Sequence, residues 1–129
     1  MSDRAALVRK DGMTAVVPAI IQNGLSDQTR QSNGLAQAFV KASLLATNPE
    51  AYAEACLALG SAQDPQYSQI QAPVLIVAAD QDKTSPSATV NFLKEAISNV
   101  KIVPLSGVGH WHMVEDVSGS ARALQEFLA

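Results

Sequence analysis

The chain has 129 residues, of which 47% are hydrophobic and 16% charged, which suits one globular domain able to bury a core. Nine Lys and Arg against twelve Asp and Glu give a net charge of −3, and no basic run predicts a nucleic acid or membrane partner. The single cysteine cannot form an internal disulfide, and no apolar stretch reaches the roughly eighteen residues of a membrane span, so we expect a cytoplasmic protein.

Helical signals begin at the start of the chain. Ser2-Asp3 can cap a first helix, whose basic residues Arg4 and Arg9-Lys10 indicate a solvated face rather than a binding patch. A second apolar segment runs from Met13 to Ile21 and contains Pro18. Because proline lacks the amide donor of a helix interior, this segment is predicted to kink or to restart as a new helix at that point.

Two further helices are predicted before the middle of the chain. Apolar residues recur at helical spacing from about Leu35 to Ala46. Asn48-Pro49-Glu50 then combines an N-cap residue, a proline in the first turn and an acidic side chain, and so starts a helix that should end at Gly60. Cys56 lies on the apolar side of this helix and is expected to be buried filler rather than a reactive thiol.

The second half of the chain alternates between strand and helix. The continuous apolar run Pro73–Ala79 is typical of a parallel strand covered on both faces. A helix from about Ser87 to Ala96 and a second run, Lys101–Leu105, complete a βαβ unit with a right-handed crossover. A closing helix is predicted from Ala121 to Leu128, and Glu115-Asp116 is expected to start it, since acidic residues favour a helix N-terminus.

Candidate chemistry lies in the two loops that directly follow these strands. Residues 79–86 carry the carboxylates of Asp80 and Asp82, and residues 106–110 end in His110. In a parallel sheet, ligands bind beyond the carboxyl ends of the strands, and neighbouring strands lie about 5 Å apart. The sequence therefore predicts that an acid and an imidazole meet at this edge of the sheet.

The same two loops carry a family resemblance. Residues 73–86 followed by residues 107–116 resemble the last two strand-loop units of the α/β-hydrolase superfamily, whose triad runs Ser, then Asp or Glu, then His. The resemblance implies that Asp82 is the acid, in a small-x-x-Asp turn, and that His110 is the base, in a Gly-x-Gly-His turn. The family usually has glycine where this chain has Ala79.

The helical half is similar to a region of the same superfamily. Residues 4–13 and 49–59 look like the helical cap that enol-lactonase-like and haloperoxidase-like members insert before the strand that carries the acid. The resemblance implies a cap or lid region at 1–64 and a C-terminal βαβα part of the core at 65–129. The expected fold is thus α/β, the C-terminal fragment of a doubly wound hydrolase sheet.

The resemblance also implies a reaction. His110 would take a proton from a serine hydroxyl, and Asp82 would hold the imidazole tautomer and stabilise its cation. The Gly-x-Ser-x-Gly turn that presents the nucleophile is absent, since neither Gly60-Ser61 nor Ser106-Gly107 fits it. We expect the C-terminal part of a serine hydrolase acting on carboxylic esters or lactones, without a cofactor and inactive by itself.

Other functions stay open at this stage. One is a non-enzymatic module that binds a partner through its helices, and another is a perhydrolase or lyase that uses the same triad differently. Two parallel strands alone would leave residues 74–78 with a bare edge, where a further strand normally pairs. We therefore expect either a homo-oligomer or assembly with an N-terminal complement.

Several neighbouring residues allow two interpretations. Asp80 is the alternative acid, and either it or Asp82 could instead cap the following helix. His112 is expected to be structural or to line the pocket, and no third ligand stands at a spacing that would predict a metal site. Trp111 is the candidate substrate-binding residue, although both it and Met113 could simply pack against the core.

Overall fold

A computed structural model describes all 129 residues of the chain. The helical half, residues 1–64, contains five α-helices and a short 3₁₀ turn at Met13–Ala15. The helices are α1 (Ser2–Asp11), α2 (Val17–Gly24), α3 (Asp27–Ser32), α4 (Gly34–Leu45) and α5 (Pro49–Ser61).

Side-chain caps define where three of these helices begin. The Asn48 side chain accepts a hydrogen bond from the Ala51 amide at 3.0 Å, which confirms the predicted start of α5. Pro18 lies in the first turn of α2, so the apolar segment restarts there as a new helix. The helix α5 continues one residue past Gly60, where it was predicted to end. The helix α3 was not predicted, because it is polar and has no apolar periodicity.

Three small apolar clusters hold the helical half together, one of which joins Val8 of α1 to Met13 and Val16. The first joins α2 and α4 through the buried residues Val17, Leu25, Val40 and Leu44. The second packs α1 against α5 and includes Cys56, which is buried as predicted.

An ion-pair cluster lies on the surface of this second junction. The Arg9 guanidinium contacts the carboxylates of Glu50 and Glu54 on α5. Arg9 therefore joins two helices while remaining on the solvated face that the sequence predicted.

The second half forms the predicted βαβ unit followed by two helices. After a 3₁₀ turn at Tyr67–Gln69, its elements are β1 (Val74–Ala79), α6 (Ser87–Ala96), β2 (Val100–Leu105), α7 (His112–Glu115) and α8 (Val117–Leu128). The strands pair in parallel in a two-stranded sheet. Their register runs from Val74 opposite Val100 to Ala79 opposite Leu105, so both strands end at the same level.

The chain after β2 differs from its prediction. The closing helix begins at Val117 rather than Ala121, and the short helix α7 precedes it. The Asp116 side chain accepts a hydrogen bond from the Gly119 amide at 2.9 Å and caps α8. Glu115 ends α7 and does not start the closing helix, because the backbone turns at Asp116 between the two helices.

β1 is apolar but only half-buried. α6 contacts β1, and α8 contacts both strands, yet every residue from Val74 to Ala79 retains intermediate exposure. β1 pairs with β2 along one of its two edges. No helix combines the length and the apolar character needed to cross a lipid bilayer.

Candidate active site

Asp82 and His110 meet where the two strands end. The Asp80 amide donates to the Leu105 carbonyl at 3.1 Å, which keeps the chains paired just beyond the sheet. Two residues further on, Asp82 Oδ2 lies 2.9 Å from His110 Nδ1. The structure thus brings together the two residues that the sequence predicted to meet.

The hydrogen bond between them determines the state of the imidazole. An ionised carboxylate can only accept, so His110 Nδ1 carries the proton and donates it to Asp82. The lone pair of the neutral ring is then on Nε2, which hydrogen-bonds to no side chain of the protein, and the His110 side chain is 42% exposed. Such an imidazole can accept a proton from a hydroxyl group placed against Nε2.

The protein holds Asp82 as an anion. Its other oxygen, Oδ1, accepts hydrogen bonds from the backbone amides of Thr84 at 2.7 Å and Ser85 at 2.9 Å. Burial alone raises the pKa of the Asp82 carboxyl, whose side chain is 10% exposed, but the hydrogen bonds from His110, Ser85 and Thr84 outweigh it. The net pKa lies below its ordinary value, so this carboxylate is charged at neutral pH.

Asp80 has a different partner. Its Oδ1 accepts the Gly107 amide at 2.8 Å, in a turn where Gly107 has a φ of 76° that favours glycine. This bond ties the loop after β1 to the loop after β2. Asp80 therefore shapes the turn that leads to His110 instead of contacting its ring.

Hydrogen bonds attach the His110 loop to the helical half. The His110 amide donates to the Gly24 carbonyl at 2.7 Å. The Glu115 carboxylate accepts two amides, from Gly109 at 3.0 Å and from Ser26 at 2.8 Å. This bridging role of Glu115 was not predicted, because no local pattern reveals that an acidic residue has a partner 89 positions away.

Gly109 permits this close approach. A Cβ atom at this position would lie 2.5 Å from the Gly24 carbonyl oxygen and 2.8 Å from the Ser26 amide nitrogen. Any side chain would therefore push the His110 loop away from the helical half. The glycine before the histidine is required by packing.

His112 lies beside the site but has its own partner. Its Nδ1 is 3.0 Å from Ser120 Oγ on α8. Burial lowers the pKa of the His112 imidazole, as does the His110 charge, while Asp82 and Glu115 raise it, and the net effect is a lowered pKa. No group of three or more His, Cys, Asp or Glu residues is placed to hold a metal ion.

Trp111 connects the core to a cavity beside the imidazole. Its half-buried ring packs against the cluster of α2 and α4. It also lines a cavity of about 300 Å³ together with His110 and Thr84. Arg4 of α1 is exposed, as predicted for a solvated helix face, and also lines this cavity.

A larger groove lies elsewhere and excludes both triad candidates. It measures about 490 Å³ and is mainly apolar, with Leu35 and Phe39 of α4 facing Met113 and Val117. Neither Asp82 nor His110 lines it. We therefore place the candidate active site at the smaller cavity, because His110 is one of the residues that line it.

No protein-family model and no curated protein matches the chain. Solved structures do match, over nearly its whole length. An esterase from Thermogutta terrifontis, solved with malate bound, superposes with a TM-score of 0.92 at 20% identity, over 98% of this chain and 47% of its own. The enol-lactonase from Burkholderia xenovorans LB400 gives 0.90 at 24% identity, over 98% and 48%. A bromoperoxidase from Bacillus anthracis gives 0.80 at 20% identity, over 98% and 47%.

The chain spans about half the length of the solved structures that it matches. At these identities the likeness establishes the fold. It agrees with the predicted order of a helical region followed by a βαβα unit. The chain therefore has the fold of the C-terminal part of an α/β-hydrolase.

Proposed function

We propose that this chain is the C-terminal part of a serine hydrolase acting on carboxylic esters or lactones, in which Asp82 and His110 are two members of a Ser-Asp-His triad. The observation that carries the proposal is the 2.9 Å contact between Asp82 Oδ2 and His110 Nδ1, with Nε2 left free. The esterase and the enol-lactonase of the same fold support the bond type.

The triad chemistry divides between the two residues. His110 Nε2 takes the proton of a serine hydroxyl as that oxygen attacks the acyl carbon, and later returns it to the leaving oxygen. Asp82 holds Nδ1–H in place and stabilises the imidazolium that forms between these steps. The lowered pKa of Asp82 supports this role, because the carboxyl stays ionised while the ring changes its charge.

The nucleophile would lie outside these 129 residues. The sequence has no Gly-x-Ser-x-Gly turn, and no hydroxyl of the chain is hydrogen-bonded to His110 Nε2. We therefore propose that the chain is inactive alone and acts with an N-terminal complement that contributes the serine. The helices of residues 1–64 would then act as a cap over the acyl pocket.

Exposed apolar surface supports an assembly of this kind. β1 is apolar on both faces, half-exposed and paired along one edge, and Leu35 and Leu128 are 82% and 73% exposed. An unpaired strand edge with apolar faces favours association. If the complement is absent, we expect the chain to self-associate. Size-exclusion chromatography with light scattering tests this, and a stable monodisperse monomer at micromolar concentration would contradict it.

Hydrolysis of p-nitrophenyl acetate and of a simple lactone tests the triad. The 129-residue chain should not exceed the buffer rate, and the whole gene product with a nucleophile turn should. Asp82→Asn in that product should lower kcat about 10⁴-fold, by analogy with other triads. Unchanged turnover in His110→Ala would overturn the proposal, and a gene without any nucleophile turn would favour a non-enzymatic binding module instead.

The bromoperoxidase of the same fold favours one second candidate, a perhydrolase. The same acid and base would then help hydrogen peroxide, rather than water, to attack the acyl-enzyme. Adding hydrogen peroxide to the hydrolysis assay separates the two, since a perhydrolase forms peracid from the ester whereas a hydrolase releases only the carboxylic acid.

A further inference from the structure

One turn of the helical half contacts both loops that carry the triad candidates. It comprises residues 24–27, where α2 ends and α3 begins, and we call it the α2–α3 turn. Its Gly24 carbonyl accepts a hydrogen bond from the His110 amide at 2.7 Å. Its Ser26 amide donates to the Glu115 carboxylate at 2.8 Å. Both of these contacts bind the turn to the chain around His110.

The next amide of the same turn binds the loop of the acid. The Asp27 amide donates to Gln81 Oε1 at 3.2 Å. Gln81 is half-buried and directly precedes Asp82, and its own amide donates to the Val108 carbonyl at 3.0 Å. Gln81 therefore joins three segments, because its side chain reaches the α2–α3 turn while its backbone reaches the loop of the histidine. The Lys83 ammonium adds a longer contact, 3.9 Å from the Asp27 carboxylate.

Two side chains thus accept consecutive amides of one turn. Gln81 accepts from Asp27 beside the acid, and Glu115 accepts from Ser26. The second oxygen of Glu115 accepts the Gly109 amide, directly before the histidine. Neighbouring residues have Cα atoms only about 3.8 Å apart, so the separation of their two amides is nearly fixed. The two loops are therefore aligned with each other as well as with the helical half.

The contact between Asp82 and His110 depends on this alignment. It joins two loops, and the His110 side chain is 42% exposed, so packing around the ring fixes its position only in part. A hydrogen bond weakens outside donor–acceptor distances of about 2.7–3.2 Å. In active sites, a misplacement of about 1 Å can lower the rate about 100-fold. Groups that align the loops can therefore control the reaction without touching the substrate.

From these contacts we infer that Gln81 is a positioning residue, which together with Glu115 holds the loops of Asp82 and His110 in register against the α2–α3 turn. The inference rests on the proposed function and gives the helical half a role beyond covering the acyl pocket. Because the turn is bonded to both loops, any movement of the helical half that opens the site has to leave residues 24–27 in place.

Substitution of Gln81 in the 129-residue chain tests this without the nucleophile. Gln81→Met keeps the length of the side chain, but its sulfur accepts hydrogen bonds only weakly. The downfield NMR signal expected from the Nδ1 proton of His110 should move upfield and broaden, since the contact with Asp82 lengthens and proton exchange becomes faster. Gln81→Glu, which keeps an oxygen acceptor, should retain the signal.

A matched control and a milder variant complete this experiment. Gln125 is exposed on α8, so Gln125→Met should leave the His110 signal unchanged. Circular dichroism checks that each variant is folded. If Gln81→Met does not fold, Gln81→Asn provides the same test, because it keeps the amide but shortens its reach by one carbon. An unchanged His110 signal in a folded variant without the Asp27 contact would overturn the inference.

Kinetics of the whole gene product separate positioning from folding. Gln81→Met should lower kcat for p-nitrophenyl acetate by about 10- to 100-fold, while KM changes by no more than about twofold. Gln81→Glu should recover most of the loss. A kcat at the wild-type level in folded Gln81→Met would contradict the positioning role, as would a rise in KM with kcat unchanged.

The two proposals can fail separately. If Gln81→Met alters the His110 signal but the whole gene product hydrolyses no ester, the serine hydrolase proposal fails and the positioning of the Asp82–His110 pair stands. If His110→Ala abolishes turnover while Gln81→Met changes neither the signal nor kcat, the Gln81 inference fails and the triad stands.

Discussion

The backbone amide of Ser26 donates a hydrogen bond to the carboxylate of Glu115 at 2.8 Å, although 89 positions separate them in the chain. The second oxygen of the same carboxylate accepts the amide of Gly109, directly before His110. One side chain thus joins the helical half to the loop that carries the imidazole. Because Ser26 is also the N-cap of α3, this junction is built into the start of a helix.

Replacing Glu115 should loosen this junction. Glu115→Gln keeps the shape of the side chain but replaces one of its two acceptor oxygens by an NH₂ group. One of the two backbone amides, of Ser26 or of Gly109, then faces a donor instead of an acceptor. We expect a loss of about 1–3 kcal/mol in the free energy of unfolding, measured by urea denaturation. Glu126→Gln, at an exposed position of α8, is the matched control and should stay within about 0.5 kcal/mol. Equal stability of the two variants would show that the bridge contributes little.

Two glycine substitutions should have opposite effects. Gly109→Ala inserts a methyl group against the backbone of residues 24–26 and should cost at least about 1–3 kcal/mol. Gly34→Ala, at the start of α4, meets nothing within 4 Å and should be neutral or stabilising by about 0.4–1 kcal/mol. Thermal unfolding of both variants checks this. A Gly109→Ala protein as stable as the wild type would mean that the loop does not need its close approach.

Asp82 should affect stability in acid. Because its pKa is lower in the folded protein than in the unfolded chain, it stabilises the fold above the unfolded value of about 3.9, and this contribution is lost as the pH falls through the folded pKa. Asp82→Asn should remove this part of the acid dependence while Oδ1 still accepts the amides of Thr84 and Ser85. Chemical denaturation of both proteins from neutral pH downward measures it. Parallel stability curves would contradict the pKa direction.

The hydrogen bond between Asp82 and His110 should also be visible directly. In the wild type we expect a strongly downfield Hδ1 proton signal of His110 by NMR, because a carboxylate holds the Nδ1 proton and slows its exchange. The signal should disappear in Asp82→Ala. Its persistence in that variant would mean that another group holds the ring.

His112 should titrate below the ordinary histidine value of about 6.5. Because the pKa of His112 is lower in the folded protein, the unfolded chain takes up this proton at a higher pH than the folded protein does. The contribution of His112 to stability is therefore retained above about pH 6.5 and is lost as the pH falls toward the folded pKa. His112→Asn, which can still hydrogen-bond to Ser120, should lose less stability over that interval. NMR titration of the ring protons provides the pKa itself, and a value above 6.5 would contradict the prediction.

Local patterns in the sequence were sufficient for much of the fold. The apolar run before Asp80, the helix Ser87–Ala96 and the second strand were predicted within one or two residues, because short apolar runs flank a helical segment in the sequence. The pattern also predicted that an acid would meet His110, and the family resemblance implied that this acid is Asp82. Both residues end adjacent parallel strands, and such ends lie at one edge of a sheet.

Where the pattern was weak, the prediction was wrong or absent. α3 is polar and only six residues long, and Gly119 lies in the first turn of α8, where it lowers helix propensity and obscures the start of the helix. Both helices are defined instead by side-chain caps, at Ser26 and Asp116, which accept amides three residues onward. Caps of this kind are common to turns and helices, so the sequence alone does not distinguish them.

By itself, the sequence determined the strand-helix-strand order, the parallel sheet and the meeting of one acid with one imidazole, since these follow from the local apolar patterns and from the order of the elements. Only the tertiary structure decided the partners of Glu115, the cavity position of Arg4 and the contact of Gly109 with Gly24. Those depend on how the helical half packs over the strand ends, where residues far apart in the chain come together, and no local periodicity encodes such contacts.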